Sequence, residues 1–176
     1  MNRIALYLLC TVTMGCSAAG VARAPAAPRS ASSTCGGGIV LHDAELEAYR
    51  GCRNVSGDLA LYGVTTLAPL ASLKSVDGTL TIEHTSRLYT LAGLEQLRSV
   101  NRLEVNHNAS LVNAGALRKL DHVHHVSVTH NPRLSTTYGF LDGMGRAGAE
   151  VDLAHNSGLV AEGVTDATPA GTIAVR

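Results

Sequence analysis

The chain has 176 residues, and its 14 Lys and Arg residues balance its 14 Asp and Glu residues. Because a neutral chain has no overall field that attracts nucleic acid or an anionic bilayer, functions that depend on a large basic surface are excluded, and no nucleic-acid partner is expected. The sequence has no Trp and only 1 Phe, so its core must consist of aliphatic side chains in repeated positions. Such a core favours an internal repeat.

The N-terminal segment has the pattern of an export signal. Arg3 supplies a positive charge before the uncharged apolar run 4–14, which is shorter than the ~20 residues of a membrane-spanning helix. The segment Thr13-Met-Gly-Cys16 resembles a bacterial lipobox, with Thr where Leu is usual, and this resemblance implies a lipid on Cys16. The alternative is an ordinary signal peptide cleaved near residues 18–20, with Cys16 discarded. We assign 1–16 to a signal peptide with a lipobox-like end, and both interpretations predict an exported protein.

Residues 17–34 are rich in Ala, Pro and Ser, with Val21 as the one larger apolar side chain. A segment of this composition buries too little surface to offset the chain entropy lost on folding. We interpret it as a flexible tether between a lipidated Cys16 and a folded domain. A Cys that carries two or three acyl chains holds a protein firmly at a membrane. The expected location is therefore the bacterial cell envelope, at the outer membrane, its periplasmic face or the cell surface.

The cysteines of the folded part are Cys35 and Cys52, because Cys10 lies in the signal and Cys16 is lost or lipidated. Two cysteines in an oxidising compartment are expected to pair. The sequence therefore predicts a disulfide between Cys35 and Cys52.

The segment between these cysteines is expected to contain a short helix over residues 43–50. Asp43 is placed to cap its N-terminus, and Gly51 lies just past its end. The glycine run 36–38 is interpreted as a flexible joint. Helix and disulfide together predict a small N-terminal cap.

The rest of the sequence contains a repeat. Segments that alternate apolar and polar residues, as a strand with one buried face does, start 21 to 25 residues apart. These segments are Leu59-Ala-Leu61, Leu80-Thr-Ile82, Leu103-Glu-Val105, Val126-Ser-Val128 and Val151-Asp-Leu153. A turn motif, in which His is followed by Asn or Thr, two further residues and Leu, occupies 84–88, 107–111, 130–134 and 155–159. Aliphatic residues then recur at every third position, which favours 3₁₀ or extended segments.

These repeats resemble those of a known family. Val126-Ser-Val-Thr-His-Asn-Pro-Arg-Leu134 and Gly78-Thr-Leu-Thr-Ile82 are similar to repeats of the receptor L domain, the leucine-rich-repeat-like module of insulin and epidermal growth factor receptor ectodomains that also occurs in bacterial surface proteins. The resemblance covers about residues 35–159, although Tyr62-Gly63 replaces the His-Asn pair in the first coil. It implies a mainly β fold, a short right-handed parallel β-solenoid of about five coils with a small N-terminal helical, disulfide-bearing cap. Residues 160–176 are expected to form a C-terminal cap or a disordered tail.

Stacked coils would align equivalent residues into columns about 4.8 Å apart on the outer face of the sheet. One column contains Ala60, Thr81, Glu104, Ser127 and Asp152, and its neighbour contains Tyr62, Glu83, Asn106, Thr129 and Ala154. The candidate binding face, called the sheet face below, consists of Thr81, Glu83, Glu104, Asn106, Ser127, Thr129 and Asp152. Such a face suits hydrogen bonding to a partner but is poor in the large anchor residues of tight protein interfaces. A merely solvated sheet is the alternative.

The turn motif contributes two further columns. The first, called the turn ladder, consists of Thr85, Asn108, Asn131 and Asn156. Its side chains are expected to satisfy backbone groups of the bend and to stack on the next coil. The second, called the histidine column, consists of His84, His107, His130 and His155.

The histidine column allows three interpretations. The structural one is that each neutral ring hydrogen-bonds to backbone groups of its own and the next coil. The alternatives are a shared Zn²⁺ or Cu²⁺ ion and a charge switch below about pH 6.5. A further group, His122, His124 and His125, lies before the fourth predicted strand.

No catalytic motif stands out in the sequence. It contains no Gly-x-Ser-x-Gly, no His-Glu-x-x-His and no phosphate-binding Gly loop, and a short solenoid offers no deep cleft. We therefore expect no enzyme activity and no cofactor. The predicted function is that of a cell-envelope lipoprotein, held at the membrane by its lipid, whose repeat surface binds another envelope protein or a glycan. The alternatives are a structural or spacer lipoprotein without a specific ligand, and a periplasmic metal-binding protein that uses the histidine column.

Overall fold

A computed structural model of the chain describes residues 34–136 and 148–159, and the backbone of 173–174. The predicted signal peptide with Cys16, the predicted tether up to residue 33 and most of the segment 160–176 lie outside the described residues. Thr34, which the sequence placed at the end of the tether, is the first residue of a strand. Within the described ranges, no helix has the length and hydropathy needed to cross a bilayer.

The described strands form one parallel sheet, in which the order of the strands is their order in the chain. The strands are β1 Thr34–Val40, β2 Asn54–Tyr62, β3 Ser75–Glu83, β4 Ser99–Asn106, β5 His125–Thr129, β6 Glu150–Asp152 and β7 Ile173–Ala174. The predicted strand segments lie in β2 to β6, except that β6 ends at Asp152, one residue before the predicted Leu153. Equivalent residues of successive segments are direct neighbours within the strands. Leu80, for example, pairs with Leu103, which pairs with Val126. The prediction of a mainly β fold with parallel strands is confirmed.

The side chains on one face of these strands are fully buried. Leu80, Leu103 and Val126 belong to one hydrophobic cluster with the aliphatic residues of the segments that connect the strands. Those connecting segments contain 3₁₀ helices at Ala68–Leu70 and Gly115–Lys119. A 3₁₀ helix has three residues per turn, so it places every third side chain on the same side, toward the cluster.

The glycine run 36–38 is part of β1, so its interpretation as a flexible joint was wrong. β1 pairs in parallel with β2, and the register between the two strands shifts between Gly36 and Gly38. At that shift, a Cβ atom on Gly37 would overlap the backbone of Asp58. Gly37 therefore allows a close approach of two strands, a use of glycine that the repeat pattern does not reveal.

The helix between the cysteines is shorter than predicted. Helix α1 covers Asp43–Leu46 and continues as a 3₁₀ turn over Glu47–Tyr49. The prediction that Asp43 is the N-cap was wrong, because the cap position belongs to His42 and no side chain caps the helix. Asp43 instead accepts hydrogen bonds from the backbone N–H and the hydroxyl of Thr65, at 2.8 and 2.6 Å. Gly51 follows the 3₁₀ turn with a φ of 83°, as expected for a glycine that ends a helical segment.

The predicted disulfide is confirmed. Cys35 in β1 is bonded to Cys52, which is buried just before β2, and the two cysteines are 17 residues apart. The bond thus joins β1 to the start of the next strand.

Removing this disulfide is expected to lower the free energy of unfolding by about 3 kcal/mol, the entropy effect of closing a loop of this length. The test is urea unfolding of the double variant Cys35→Ala/Cys52→Ala, compared with the parent chain. Reducing agent should destabilise the parent by a similar amount and leave the variant unchanged. A variant as stable as the parent would contradict the prediction.

Candidate binding face and histidine column

The sheet face consists of half-exposed polar side chains on consecutive strands. Thr81, Glu104, Ser127 and Asp152 are paired in one row across β3 to β6. Glu83, Asn106 and Thr129 are paired in the neighbouring row. The structure thus brings together all the residues that the sequence assigned to this face. Ala154, which the sequence placed at the end of the second row, is only 7% exposed, so that expectation was wrong.

Side chains of the sheet face hydrogen-bond to one another across strands. Asn106 Oδ1 accepts from the hydroxyl of Thr129 at 3.0 Å and from that of Ser127 at 3.4 Å. Glu104 accepts from Thr81 at 3.4 Å and forms an ion pair with Arg102 at 2.8 Å. These contacts hold the polar groups of the face in fixed positions, which reduces the entropy lost when a partner binds.

The turn ladder lies inside the bend that follows the strands. Its residues Thr85, Asn108, Asn131 and Asn156 are buried. Asn131 Oδ1 accepts the backbone N–H of Asn108 at 3.0 Å, and Asn156 Oδ1 accepts that of Asn131 at 3.0 Å. The amide groups donate to strand carbonyls, as Asn131 does to Val105 at 2.8 Å. Each ladder asparagine therefore links backbone groups of neighbouring repeats, whereas the Thr85 hydroxyl donates to the Asn108 side chain at 2.6 Å. Buried amides are stable only with such partners.

Each residue of the histidine column has a left-handed backbone conformation, with φ between 55° and 60°. Gly63 occupies the equivalent position after β2, since Tyr62 pairs with Glu83, and its φ is 61°. The turn therefore requires a positive φ, which costs a non-glycine residue about 1–2 kcal/mol. The sequence comparison that set Tyr62-Gly63 against the His-Asn pair was therefore wrong by one residue, because Gly63 is equivalent to His84. That misalignment hid the requirement for a positive φ.

The imidazole rings of the histidine column stack face to face. Ring centroids are 5.2 Å apart for His84 and His107, 4.5 Å for His107 and His130, and 4.4 Å for His130 and His155. The rings are exposed at the rim of the sheet face. The structural interpretation predicted hydrogen bonds from each ring to the backbone. Among the described residues, the rings of the column stack on one another instead.

The first two rings of the column lie beside a carboxylate. Glu83 Oε1 is 3.6 Å from His84 Nδ1 and 3.5 Å from His107 Nδ1. Within the part of the chain that the structure describes, Glu83, His84 and His107 form a group whose possible metal-ligand atoms all lie within 4.8 Å of one another. His130 and His155 continue the stack without joining such a group. The four rings of the predicted metal column are therefore adjacent, but they do not surround one point.

The group His122, His124 and His125 does not join the column. His122 Nδ1 is 2.5 Å from Asp121, and His125 Nδ1 is 3.5 Å from Glu150. His122 and His125 thus each lie beside a carboxylate outside the column.

The pKa of His130 lies below the ordinary value of 6.5, because its packing between neighbouring rings disfavours the charged form and because protonated His155 and His107 repel its charge. A group with a lowered pKa binds fewer protons in the folded than in the unfolded chain. The contribution of His130 to stability is therefore most favourable above pH 6.5 and becomes less favourable as the pH falls from there through the lowered folded value.

The melting temperature of the parent chain is accordingly expected to drop more between about pH 7.5 and 5.5 than that of a His130→Asn variant. Asn also tolerates a positive φ. Measurements in the presence of a chelator exclude effects of bound metal, and His124→Asn, outside the column, serves as the matched control. An identical pH dependence in His130→Asn and the parent would contradict the expectation.

No protein-family model matches the chain, and no curated protein matches it. The polar face, the buried ladder and the stacked imidazoles are therefore the observations on which a function can be based.

Proposed function

We propose that the chain is a non-enzymatic lipoprotein of the bacterial cell envelope, anchored through Cys16, whose sheet face binds another envelope protein or a glycan. The observation that carries the proposal is the network of side-chain hydrogen bonds around Asn106 and Glu104, which fixes a row of donors and acceptors on the outer face of the sheet.

The proposal includes a fold of the leucine-rich, receptor-L-like type, a short right-handed solenoid with residues 35–52 as its N-terminal cap. The parallel strands in chain order support it, as do the 3₁₀ segments between strands and the ladder that links successive bends. In a repeat fold of this kind, binding surfaces are usually formed by equivalent residues of consecutive repeats. The two rows of the sheet face have this arrangement.

The composition of the face limits the kind of partner. Its hydroxyl, amide and carboxylate groups suit a partner rich in hydrogen-bonding groups, such as the hydroxyls of a glycan or the polar surface of a protein. Tyr62, at the end of one row, supplies an aromatic ring. Because tight protein interfaces depend on buried aromatic and Arg anchors, we expect moderate affinity.

A site-specific cross-linking experiment tests the proposal. A photoreactive amino acid is placed at Thr81 or Ser127 on the sheet face, in the full chain produced in a bacterial host with a lipoprotein pathway. The matched control carries it at Ser72, an exposed residue in the turn after the 3₁₀ helix Ala68–Leu70. The proposal is supported if adducts form at Thr81 and Ser127 but not at Ser72. These adducts should also disappear when unmodified chain is present in excess, because it competes for the partner.

The nature of the adduct identifies the class of partner. If protease alone removes the added mass of the adduct, the partner is a protein. If the added mass survives protease but is removed by glycosidase, the partner is a glycan. Equal labelling at all three positions, or no adduct at all, would favour the spacer function instead.

A further inference from the structure

We propose that Glu83, His84 and His107 form a binding site for a divalent transition-metal cation of the Zn²⁺ type. The site lies at the rim of the sheet face, where the carboxylate of one strand end meets the first two rings of the histidine column. It goes beyond the proposed function, because neither the lipid anchor nor a macromolecular partner is needed for it.

The distances from the Glu83 carboxylate to the two rings approach those between ligand atoms of a metal site. Zn²⁺ binds imidazole nitrogen and carboxylate oxygen at about 2.0–2.2 Å, so neighbouring ligand atoms of a tetrahedral site lie about 3.3 Å apart. The distances from Glu83 Oε1 to His84 Nδ1 and His107 Nδ1 are 3.6 and 3.5 Å. A shift of a few tenths of an ångström thus brings the carboxylate and either ring to a shared ion.

The backbone alone does not explain the imidazoles. The turn requires a positive φ, and Gly63 meets that requirement at the equivalent position without a side chain. His in this conformation is less favourable than Gly, so the rings must contribute something else. Stacking is one contribution, but it is loosest for His84 and His107, where the centroids are 5.2 Å apart. That looser pair is the one beside Glu83.

Metal binding requires a movement of the rings. The rings of His84 and His107 are within 3° of parallel, so the lone pairs of their Nδ1 atoms, which lie in the ring planes, do not converge. One ring must rotate toward Glu83. The side chains of His84 and His107 are 66% and 48% exposed, which leaves room for this rotation.

The ligand set determines which ions are expected. Imidazole suits Zn²⁺, Cu²⁺ and Ni²⁺, whereas Mg²⁺ and Ca²⁺ prefer sites made of oxygen ligands. Three protein ligands also leave a position open to water, since Zn²⁺ commonly has four ligands. We therefore expect binding of Zn²⁺ and Co²⁺ and no competition from Mg²⁺.

The test is a titration of the full chain with Zn²⁺ by calorimetry and with Co²⁺ by visible absorption. The chain carries Cys10→Ser and Cys16→Ser, because free thiols bind both ions, and it has no polyhistidine tag. We expect one equivalent of metal. The Hε1 signals of His84 and His107 should shift in NMR spectra while that of His155 stays in place.

Variants assign the site. Glu83→Gln and His107→Asn are expected to weaken binding by about tenfold or more, since even partners outside the first coordination sphere can contribute that much. The matched control is His155→Asn, which makes the same change at an equivalent turn outside the group, and it should bind as the parent does. His84→Asn is a second variant of the site, and unchanged thermal unfolding of each variant shows that it is folded.

Three results would overturn the proposal. The first is the absence of metal binding by the parent chain at millimolar metal. The second is unchanged affinity in both Glu83→Gln and His107→Asn. The third is an equal loss of affinity in His155→Asn, which would mean that the whole stack of imidazoles binds the metal. All of these titrations use the isolated chain, so their outcome does not depend on whether the cross-linking experiment finds a partner.

Discussion

Replacing Asn131 with Ala is expected to lower the free energy of unfolding by about 3 kcal/mol. The buried side chain accepts a hydrogen bond from the backbone N–H of Asn108 and donates one to the carbonyl of Val105. Both backbone groups lose this partner in the variant, in a place from which water is excluded. Urea unfolding followed by circular dichroism measures the change.

Two companion variants show whether the hydrogen bonds cause the effect. Asn131→Leu keeps the branched shape and the number of side-chain heavy atoms but lacks the amide, so it should be destabilised at least as much. Asn101→Ala makes the same change at an exposed asparagine of β4 and should remain within about 0.5 kcal/mol of the parent. A loss below 1 kcal/mol for Asn131→Ala would mean that the turn ladder contributes little to stability.

The second large effect is expected for Leu103→Ala, with a loss of about 2–5 kcal/mol. Leu103 has no exposed surface, and it pairs with Leu80 on one side and Val126 on the other. Its neighbours belong to rigid paired strands that cannot close over the space left by the missing methyl groups. The remaining cavity therefore adds to the lost hydrophobic transfer energy.

Chemical unfolding of Leu103→Ala is compared with that of Leu41→Ala, a leucine that is 49% exposed. The control should change stability by no more than about 0.5 kcal/mol. Equal effects of the two substitutions would contradict a core built on the aligned positions of consecutive strands.

The strands were predictable because the alternation of apolar and polar residues along the sequence indicates which side chains are buried. A strand with one buried face alternates apolar and polar side chains, so Leu80-Thr-Ile82 and its equivalents could be aligned without any structure. The turn ladder could also be located, because Asn recurs immediately after the strands in three of the turn motifs. Both patterns depend on residues close together in the chain.

Features that depend on distant residues were missed or misread. Asp43 has the sequence context of an N-cap, but Thr65 in the next connecting segment offers its carboxylate better hydrogen bonds. The glycine run 36–38 looks flexible until β2 is placed beside it.

The candidate metal site was only half predicted. The recurrence of His indicated a column, yet Glu83 had been assigned to the sheet face. Glu83 lies next to His84 in the chain and reaches His107 across the paired strands, and both histidines have the left-handed backbone conformation that the sequence did not reveal. No spacing rule links the three residues in sequence.

Among the described strands, each pairs only with the strand before and the strand after it, and this arrangement has an evolutionary consequence. Duplication of one repeat adds a unit whose two surfaces already fit its neighbours, and deletion of one brings two compatible surfaces together. The register shifts between Gly36 and Gly38 and between Val76 and Thr79 accommodate repeats of unequal length. Proteins of this design can thus become longer or shorter by whole units while the chemistry of each remaining turn is inherited intact.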